Sequence, residues 1–393
     1  MGAVSDRWYA SQRGDGQRRK SVRHGTGKRW LARYQEPSGA WRSGAFEKKS
    51  DAEKWLRERE ASIVTGQYVD PAAGRLTFHD YAEQWRTAQV HRPTTQAHTE
   101  TSLRRHAYPF LGDRALGAIL PSDVQAWVKR IATGDPVTGR APLSPSTVGV
   151  VHGIVSGIFR AAVRDRRVVA NPCTGTRLPK VTSSQVIPPT TEEVRRLEEA
   201  IAPRWRALVT LAAGTGMRHG ECLGLTVDRV DFLRRRLVVD RQLVTVPGRD
   251  PFLAPPKTAA SVRTIPLPRV VVDALAAHLR DFPAASGFVF TDAHGQPMRR
   301  TAFSARVWRP AIKSADLPTT LTFHHLRHYY ASLLIRHSES VKTVQARLGH
   351  ANAAETLDTY SHLWPDSEDR TRDAVDAVLG GGGLDQDWTG AVH

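Results

Sequence analysis

Residues 322–363 read TFHHLRHYYASLLIRHSESVKTVQARLGHANAAETLDTYSHL, and this stretch decides how the rest of the chain is interpreted. Its apolar spacing predicts three helices, over His324–Arg336, Val341–Leu348 and around Glu355–Tyr360. Four side chains in it are chemically informative: a His-x-x-Arg pair, a histidine after Leu-Gly, and a tyrosine, which are His324, Arg327, His350 and Tyr360. We expect the remainder of the chain to bring a substrate to these residues.

Two upstream segments supply further basic residues. Arg218 lies in the segment Met217–Glu221, and Lys257 lies between Pro256 and Thr258, in or beside the turn before a predicted strand. Two arginines, two histidines, a lysine and a tyrosine are the groups needed to break and remake a DNA phosphodiester without metal or water. This set of six predicts phosphoryl transfer to a tyrosine.

The two arginines and the lysine suit the charges that develop in such a reaction. In-line displacement puts negative charge on the non-bridging oxygens, and a fixed guanidinium stabilises it through two parallel hydrogen bonds. Arg218 and Arg327 are the candidates for this role, which is worth on the order of 3–4 kcal/mol per donor. The leaving 5′ oxygen of deoxyribose needs a proton, and Lys257 on a flexible hairpin is placed to deliver it.

The histidines and the tyrosine complete the predicted mechanism. His324 can accept the tyrosine proton or help to support the phosphate, and His350 can donate another hydrogen bond to a phosphate oxygen. Tyr360 is the candidate nucleophile, and attack would produce a covalent phosphotyrosyl link. Since that link retains the energy of the broken bond, ATP is unnecessary, and we expect no cofactor.

Each residue also has an ordinary structural interpretation. Arg218 by itself could be a surface arginine beside a helix start, and Tyr360 by itself would usually be a core residue. Tyr329 and Tyr330, which follow the His-x-x-Arg pair, are expected to pack in the core and not to react. The order and spacing of the whole set favour the chemical interpretation.

A cluster of histidines raises the alternative of a metal site. His324, His325 and His328 are close in sequence. Adjacent histidines point in different directions on a helix, however, and neither a carboxylate nor a cysteine completes a ligand set. We therefore expect no metal.

Composition restricts the class of partner. The chain has 393 residues and a formal net charge of +17, which favours a polyanion, either nucleic acid or an anionic membrane surface. No apolar run approaches the roughly 18–20 residues needed to span a bilayer, so we expect no membrane. Two cysteines, Cys173 and Cys222, provide neither a disulfide framework nor a zinc cluster, which is typical of a reducing cytosol.

The first part of the chain, residues 1–65, is predicted to be a separate basic module. Alternating bulky and basic residues predict a β-ribbon beside a helix, and such a ribbon can lie in a DNA groove. The candidate DNA contacts on it are Lys28, Arg29, Arg33 and Arg42. The alternative is a small solvated β-domain without a ligand.

Three further regions follow a linker. Apolar stripes at helical spacing predict a helical bundle over residues 76–172, which is either a second DNA clamp, with Arg104 and Arg105 as candidate contacts, or a plain helical domain. Residues 188–380 are predicted to be mostly helical with one small antiparallel sheet. Residues 381–393 form a glycine-tethered tail that either reaches a neighbouring subunit or is disordered.

The segments around the six residues together resemble the tyrosine recombinase family, and in particular phage-type integrases. The resembling segments are TGMRHGECLGL at 215–225, PKT at 256–258 with RTIPL at 263–267, HHLRH at 324–328, LGH at 348–350 and TLDTYSH at 356–362. The resemblance implies that all six residues are catalytic and that Glu221 supports the active-site histidine. It also implies a mixed α/β catalytic domain after a helical core-binding domain, and the basic module is similar to arm-binding domains.

The resemblance carries expectations about function. It implies a DNA strand transferase that integrates or excises a phage or mobile element, acting as a homotetramer on double-stranded attachment sites through a Holliday junction. A host DNA-bending protein, a directionality factor and a bacterial cytoplasmic, nucleoid-associated location are expected with it. The alternatives are a chromosome-dimer resolvase, a type IB topoisomerase-like enzyme, or a DNA-binding protein without activity.

Overall fold

The computed structural model describes residues 2–10, 19–37, 39–65, 68, 73–135, 139–182, 185–364 and 368–379. The chain separates into two compact units, residues 1–182 and residues 183–393. Helices dominate the described residues, and the strands form small antiparallel sheets. The tail predicted at 381–393 lies outside the described residues.

The first unit begins with a three-stranded antiparallel sheet in the order β1-β2-β3, covered on one face by a helix. Its elements are β1 (Ala3–Asp6), β2 (Trp30–Gln35), β3 (Trp41–Phe46) and α1 (Lys49–Val64). Side chains alternate along β2, so that Ala32 and Tyr34 are buried whereas Arg33 is exposed. Helix α1 closes this small core with Ala52 and Leu56. The two-stranded ribbon and the helix were predicted from the sequence, whereas strand β1 was not.

The rest of the first unit is helical. It contains α2 (Phe78–Ala88), α3 (Pro93–Ser102), a π-helical turn (Leu103–Ala107), α4 (Tyr108–Leu111), α5 (Pro121–Thr133) and α6 (Pro145–Arg164). Short 3₁₀ turns occupy Ala73–Arg75 and Leu116–Ala118. The hydroxyls of Thr77 and Ser144 accept backbone N–H bonds at the starts of α2 and α6, as expected of N-cap residues.

Helix α6 corrects the prediction that no stretch approaches the length of a membrane span. The helix has 20 residues, and an 18-residue window within it reaches a mean hydropathy of 1.4, which is long and apolar enough for a span by length and composition only. Its apolar stripe, with Val148, Val151, Val155 and Ile158, is buried at 0–1% exposure among the other helices of this unit. In the sequence, His152, Ser156 and Arg160 interrupt this apolar run.

The second unit contains ten helices among the described residues. They are α7 (Thr191–Ala200), α8 (Pro203–Thr215), α9 (His219–Leu223), α10 (Arg269–Asp281), α11 (Arg300–Phe303), α12 (Arg309–Ser314), α13 (His324–Arg336), α14 (Val341–Leu348), α15 (Ala353–Tyr360) and α16 (Glu368–Leu379). A π-helical turn, Ser304–Trp308, joins α11 to α12. Short 3₁₀ turns occupy Val227–Arg229, Ala259–Ser261 and Ser361–Leu363.

The strands of this unit form two sheets and not the one sheet that was predicted. The strands are β4 (Val230–Asp231), β5 (Arg236–Val239), β6 (Gln242–Val244), β7 (Phe252–Ala254) and β8 (Arg263–Pro266). The order β4-β5-β8 makes one antiparallel sheet, in which Leu237 lies opposite Ile265. Strands β6 and β7 make a separate antiparallel hairpin, with Leu243 opposite Leu253.

Two apolar cores support the carboxyl-terminal helices. The larger one gathers side chains from α7, α8, α10, α13 and both sheets. A smaller one contains Tyr330, Ile335, Val344, Leu348 and Tyr360, and thereby fixes α15 against α13 and α14. The expected burial of the two tyrosines after the His-x-x-Arg pair is confirmed, since each is 8% exposed.

Candidate active site

Arg218 lies at the N-cap of α9, where the chain turns out of α8 through Gly216. Its Nη1 donates to the carboxylate of Glu221 at 3.1 Å and lies 3.4 Å from the hydroxyl of Ser261. Its Nη2 donates to the carbonyl of Gly349 at 3.3 Å. These contacts hold the guanidinium between three segments that are distant in sequence.

Arg327 is buried, at 2% exposure, in the first turns of α13. Its Nη1 donates to the carbonyl of Gly216 at 2.8 Å, whereas its Nη2 is buried without a hydrogen-bond partner among the described residues. Burial, followed by the charge of Arg218, lowers the pKa of Arg327 to about 9, and the group is still charged at pH 7. A buried cation with an unused donor is the kind of group that an anion stabilises.

Glu221 pairs with two arginines, and among the described residues it makes no hydrogen bond to a histidine. The carboxylate is 2% exposed and accepts from the backbone and side chain of Arg218 and from Nη2 of Arg263 at 2.9 Å. Arg263 also donates to the carbonyls of Arg347 and Ser261. Burial opposes ionisation of Glu221, but the charge and hydrogen bond of Arg263 outweigh it and lower the pKa of the carboxyl. Arg263 belongs to the segment RTIPL, which was noted in the sequence, but no role was predicted for it. The structure shows that it is a partner of Glu221.

His324 begins α13 and is exposed to solvent. Desolvation of its ring and the charges of Arg327 and Arg218 lower the pKa of His324 to about 4. Its exposure limits the desolvation effect, but the two guanidinium groups act in the same direction, so the ring is neutral at pH 7.

His350 follows Gly349, which ends α14 in the left-handed conformation, at φ 65°. Its Nδ1 lies 2.8 Å from the hydroxyl of Thr356, and its Nε2 lies 3.6 Å from the carboxylate of Glu355. The residue is 6% exposed. Burial and the nearby arginines lower the pKa of His350 to about 3.

Tyr360 is the last residue of α15 and is 1% exposed. Its hydroxyl lies 2.7 Å from Nδ1 of His328, and their rings meet edge to face. Burial raises the pKa of Tyr360 to about 12. From the sequence, His328 was considered as a possible metal ligand and as part of the HHLRH segment, but not as a partner of Tyr360. His324 and His328 are four residues apart and therefore share a helix face.

Five of the six predicted residues line one small cleft of about 100 Å³. The residues that line it are Arg218, His324, Arg327, His328, His350, Glu355, Thr359 and Tyr360. Lys257 is exposed on the loop between β7 and β8 and is not among them. That loop is nevertheless tied to the cleft, because Thr258 lies 3.0 Å from the Ser261 hydroxyl, which in turn meets Arg218.

The predicted contacts of the amino-terminal module divide into two kinds. Lys28 and Arg33 are exposed, and Arg33 projects from the sheet face that α1 does not cover. Arg29 instead pairs with Asp6 at 2.9 Å and stacks over aromatic rings, and Arg42 pairs with Glu36 at 2.6 Å. Arg29 and Arg42 are therefore engaged in ion pairs within the module.

Arg104 and Arg105 are exposed and line a cleft of about 480 Å³ in the helical part of the first unit. Arg130 and Arg140 also line it, and both guanidinium groups lie over the ring of Phe110, at 4.8 and 5.5 Å from its centroid. These three residues were not predicted from the sequence, because they come from three separate places: Phe110 from α4, Arg130 from α5 and Arg140 from the segment before α6.

Comparison with known proteins agrees with this fold. The model of the phage integrase family matches residues 190–366, and that of the phage integrase central domain matches residues 78–178. A putative prophage phiRv2 integrase of Mycobacterium tuberculosis strain H37Rv is 30% identical over 371 residues, which cover 90% of this chain and 94% of that protein. The chain belongs to the phage integrase family of tyrosine recombinases.

Solved integrases share the fold. The Tn1549 transposon integrase, in complex with transposon right-end DNA, has a TM-score of 0.65 and 23% identity over 77% of this chain and 100% of that one. A lambda integrase tetramer bound to a Holliday junction has a TM-score of 0.55 and 16% identity over 83% of this chain and 94% of that one. The expected family, the expected fold class and the expected kind of enzyme, a tyrosine site-specific recombinase, are confirmed.

Proposed function

We propose that this recombinase integrates or excises a mobile element by cleaving attachment-site DNA with Tyr360. The observation that carries the proposal is the cleft in which the tyrosine hydroxyl, two guanidinium groups and His350 converge. The bond between Tyr360 Oη and phosphorus forms while the bond to the 5′ oxygen breaks, which leaves a 3′-phosphotyrosine. The reverse attack by a 5′ hydroxyl rejoins the strand without an external energy source.

The basic residues of the cleft are proposed to hold the scissile phosphate. The unpartnered Nη2 of Arg327 and the guanidinium of Arg218 are donors for non-bridging oxygens. Both are fixed by contacts to backbone carbonyls, so they need little rearrangement when charge develops. His350 and His324, which also line the cleft, are further candidate donors.

Lys257 is proposed to protonate the leaving 5′ oxygen. Its loop is tied to Arg218 through Ser261, and the lysine itself lies on an exposed segment. A lysine on such a loop can move to the phosphate when DNA covers the cleft.

The partners are proposed to be double-stranded attachment sites and further copies of this chain. The Tn1549 neighbour is bound to DNA, and the lambda neighbour is a tetramer on a Holliday junction. The net charge of +17 and the four-arginine cleft of the first unit suit a duplex backbone. A host bending protein, a directionality factor and a place in the bacterial cytoplasm at the nucleoid belong to the same proposal.

We assign the proposed roles to three regions. Residues 1–65 contact arm-type sites, residues 76–172 clamp the core site, and residues 188–380 carry out the chemistry. The exposed Lys28 and Arg33 support the first role, and Arg104 and Arg105 support the second.

The test is adduct formation on nicked suicide duplexes taken from the two ends of the element. The wild-type chain should become covalently linked to DNA, and Tyr360→Phe should bind the duplex with unchanged affinity but form no adduct. Tyr330→Phe, in the same small core, is the matched control and should retain the adduct. A stable adduct with Tyr360→Phe would refute the assignment of the nucleophile. Joining of two different duplexes separates a recombinase from a relaxing enzyme.

A further inference from the structure

His328 occupies a position in the cleft that the six-residue set does not explain. It lies one helical turn after His324 on α13, with the two rings 4.7 Å apart and perpendicular. Its Nδ1 lies 2.7 Å from the hydroxyl of Tyr360. Among the described residues, it is the histidine that makes a hydrogen bond with the nucleophile.

We propose that His328 is the general base that accepts the proton of Tyr360 during DNA cleavage. This inference rests on the proposed function, because it requires Tyr360 to be the nucleophile. As Oη attacks phosphorus, the O–H bond breaks and the proton moves to Nδ1 of His328, while the leaving 5′ oxygen takes its proton from a separate donor. In the rejoining step His328 returns its proton to the phenolate.

The other histidines of the cleft are less suited to this role. Nδ1 of His350 meets the hydroxyl of Thr356, and its Nε2 faces Glu355. Nδ1 of His325 is occupied by the backbone and hydroxyl of Thr322. His324, which sequence analysis offered as the proton acceptor, has no hydrogen bond to Tyr360 among the described residues and stands where it can support the phosphate.

A base is needed because the phenol is a weak acid in this setting. With a pKa of about 12, Tyr360 is ionised at pH 7 in only about one molecule in 10⁵. Burial and neighbouring charges lower the pKa of His328 to about 3, so its lone pair is available at pH 7. A bound phosphodiester adds negative charge beside the ring and favours the imidazolium that forms during attack. The titratable and charged groups that face it are His324, His325 and Arg327 of α13, Arg218 before α9, His350 after α14, and Glu355 and Tyr360 of α15.

The test compares His328→Phe and His328→Asn with His325→Asn in single-turnover cleavage of the suicide duplex. The asparagine amide oxygen can accept a hydrogen bond near the Nδ1 position but cannot take up the proton. Both His328 variants should lose about 10²–10⁴-fold in the rate of adduct formation. His325→Asn, which changes the residue next to His324, should cleave at near the wild-type rate. If all three variants bind the duplex with wild-type affinity, they are folded.

The pH profile distinguishes a base from a positioning group. With His328→Phe, cleavage should rise about tenfold per pH unit between pH 6 and 9, since only prior ionisation of the phenol can then supply the nucleophile. The wild-type rate should change little over this range, because the ring of His328 is already neutral throughout it. If His328→Asn cleaves at the wild-type rate with the wild-type profile, His328 only orients the hydroxyl and the proposal is overturned.

A duplex with sulfur at the bridging 5′ position separates the base from the leaving-group acid. A thiolate leaves without protonation, so this substrate should restore cleavage by Lys257→Ala but not by His328→Phe. Restoration of His328→Phe by sulfur would place His328 at the leaving group and overturn the proposal. Failure of the wild-type chain to form any adduct would instead refute the proposed function, on which this inference depends.

Discussion

At the scale of single residues, a buried carboxylate organises the basic groups of the cleft. Glu221 lies between Arg218 and Arg263, and Arg263 in turn donates to backbone carbonyls at Ser261 and Arg347. One negative charge thus aligns two guanidinium groups and the segments around them. Arg327 lies beside this network with an unused donor, so the cleft keeps an excess of positive charge for an anion.

Glu221→Gln should destabilise the protein by about 3–5 kcal/mol at pH 7, because it leaves Arg263 buried without its counterion. The folded carboxyl has a lowered pKa, so its contribution to stability is present above its ordinary value of 4.5 and is lost as the pH falls through the folded value. Urea unfolding of the full chain should therefore show a deficit that shrinks below about pH 4.5.

Glu339→Gln is the matched control for this measurement, since that carboxylate is exposed after α13. Its free energy of unfolding should stay within about 0.5 kcal/mol of the wild-type value. Equal loss of stability in both variants, or a Glu221→Gln deficit that persists in acid, would contradict the role of the buried pair.

At the scale of elements, the site is built where helices end. Arg218 caps α9, His350 follows the left-handed Gly349 at the end of α14, and Tyr360 closes α15. The bounds of α13 and α14 were predicted correctly. The division of the strands into two sheets was not predicted, since strands of two to four residues carry too little pattern to reveal their partners.

Gly216 offers a test of how closely these elements approach. Its φ is 64°, and an added Cβ would lie 2.4 Å from Tyr330 and 2.9 Å from Leu348, while its carbonyl accepts from Arg327. Gly216→Ala should therefore displace α13, lower the unfolding free energy by more than about 2 kcal/mol and reduce cleavage.

Gly248→Ala separates backbone strain from steric clash. Gly248 also has a positive φ, at 72°, but an added Cβ there meets nothing within 4 Å. This control should show only the left-handed cost of about 1–2 kcal/mol and retain cleavage. If both variants lose the same stability and activity, the contact with Tyr330 has no special importance.

At the scale of the whole molecule, positive charge is distributed over regions with different proposed tasks. The second unit holds the cleft of the tyrosine, and the first unit holds the arginine cleft and the basic sheet. Long-range attraction to DNA depends on the sum of these charges, whereas phosphoryl transfer depends on a few fixed groups. Binding and catalysis should therefore respond to different changes.

Removal of residues 1–65 should leave cleavage of a short core duplex near the wild-type rate and weaken binding to long attachment sites. The plot of log K against log salt should become shallower by about 2, because Lys28 and Arg33 each neutralise about one phosphate. In the full chain, Lys28→Ala with Arg33→Ala should reproduce that change. Arg42→Ala should leave the salt dependence unchanged, because Arg42 is paired with Glu36. Unchanged recombination by the truncated chain would count against the arm-site role.

The sequence by itself determined the family, the fold class, most of the long helices and the six residues proposed for chemistry. These follow from local patterns: apolar spacing within a helix and short motifs whose residue types report their chemistry. Only the tertiary structure decided that Glu221 pairs with Arg263, that His328 meets Tyr360, and that Lys257 stays outside the cleft. The physical reason is that these contacts join segments far apart in the chain or depend on which way a side chain points, and neither spacing nor composition records that direction.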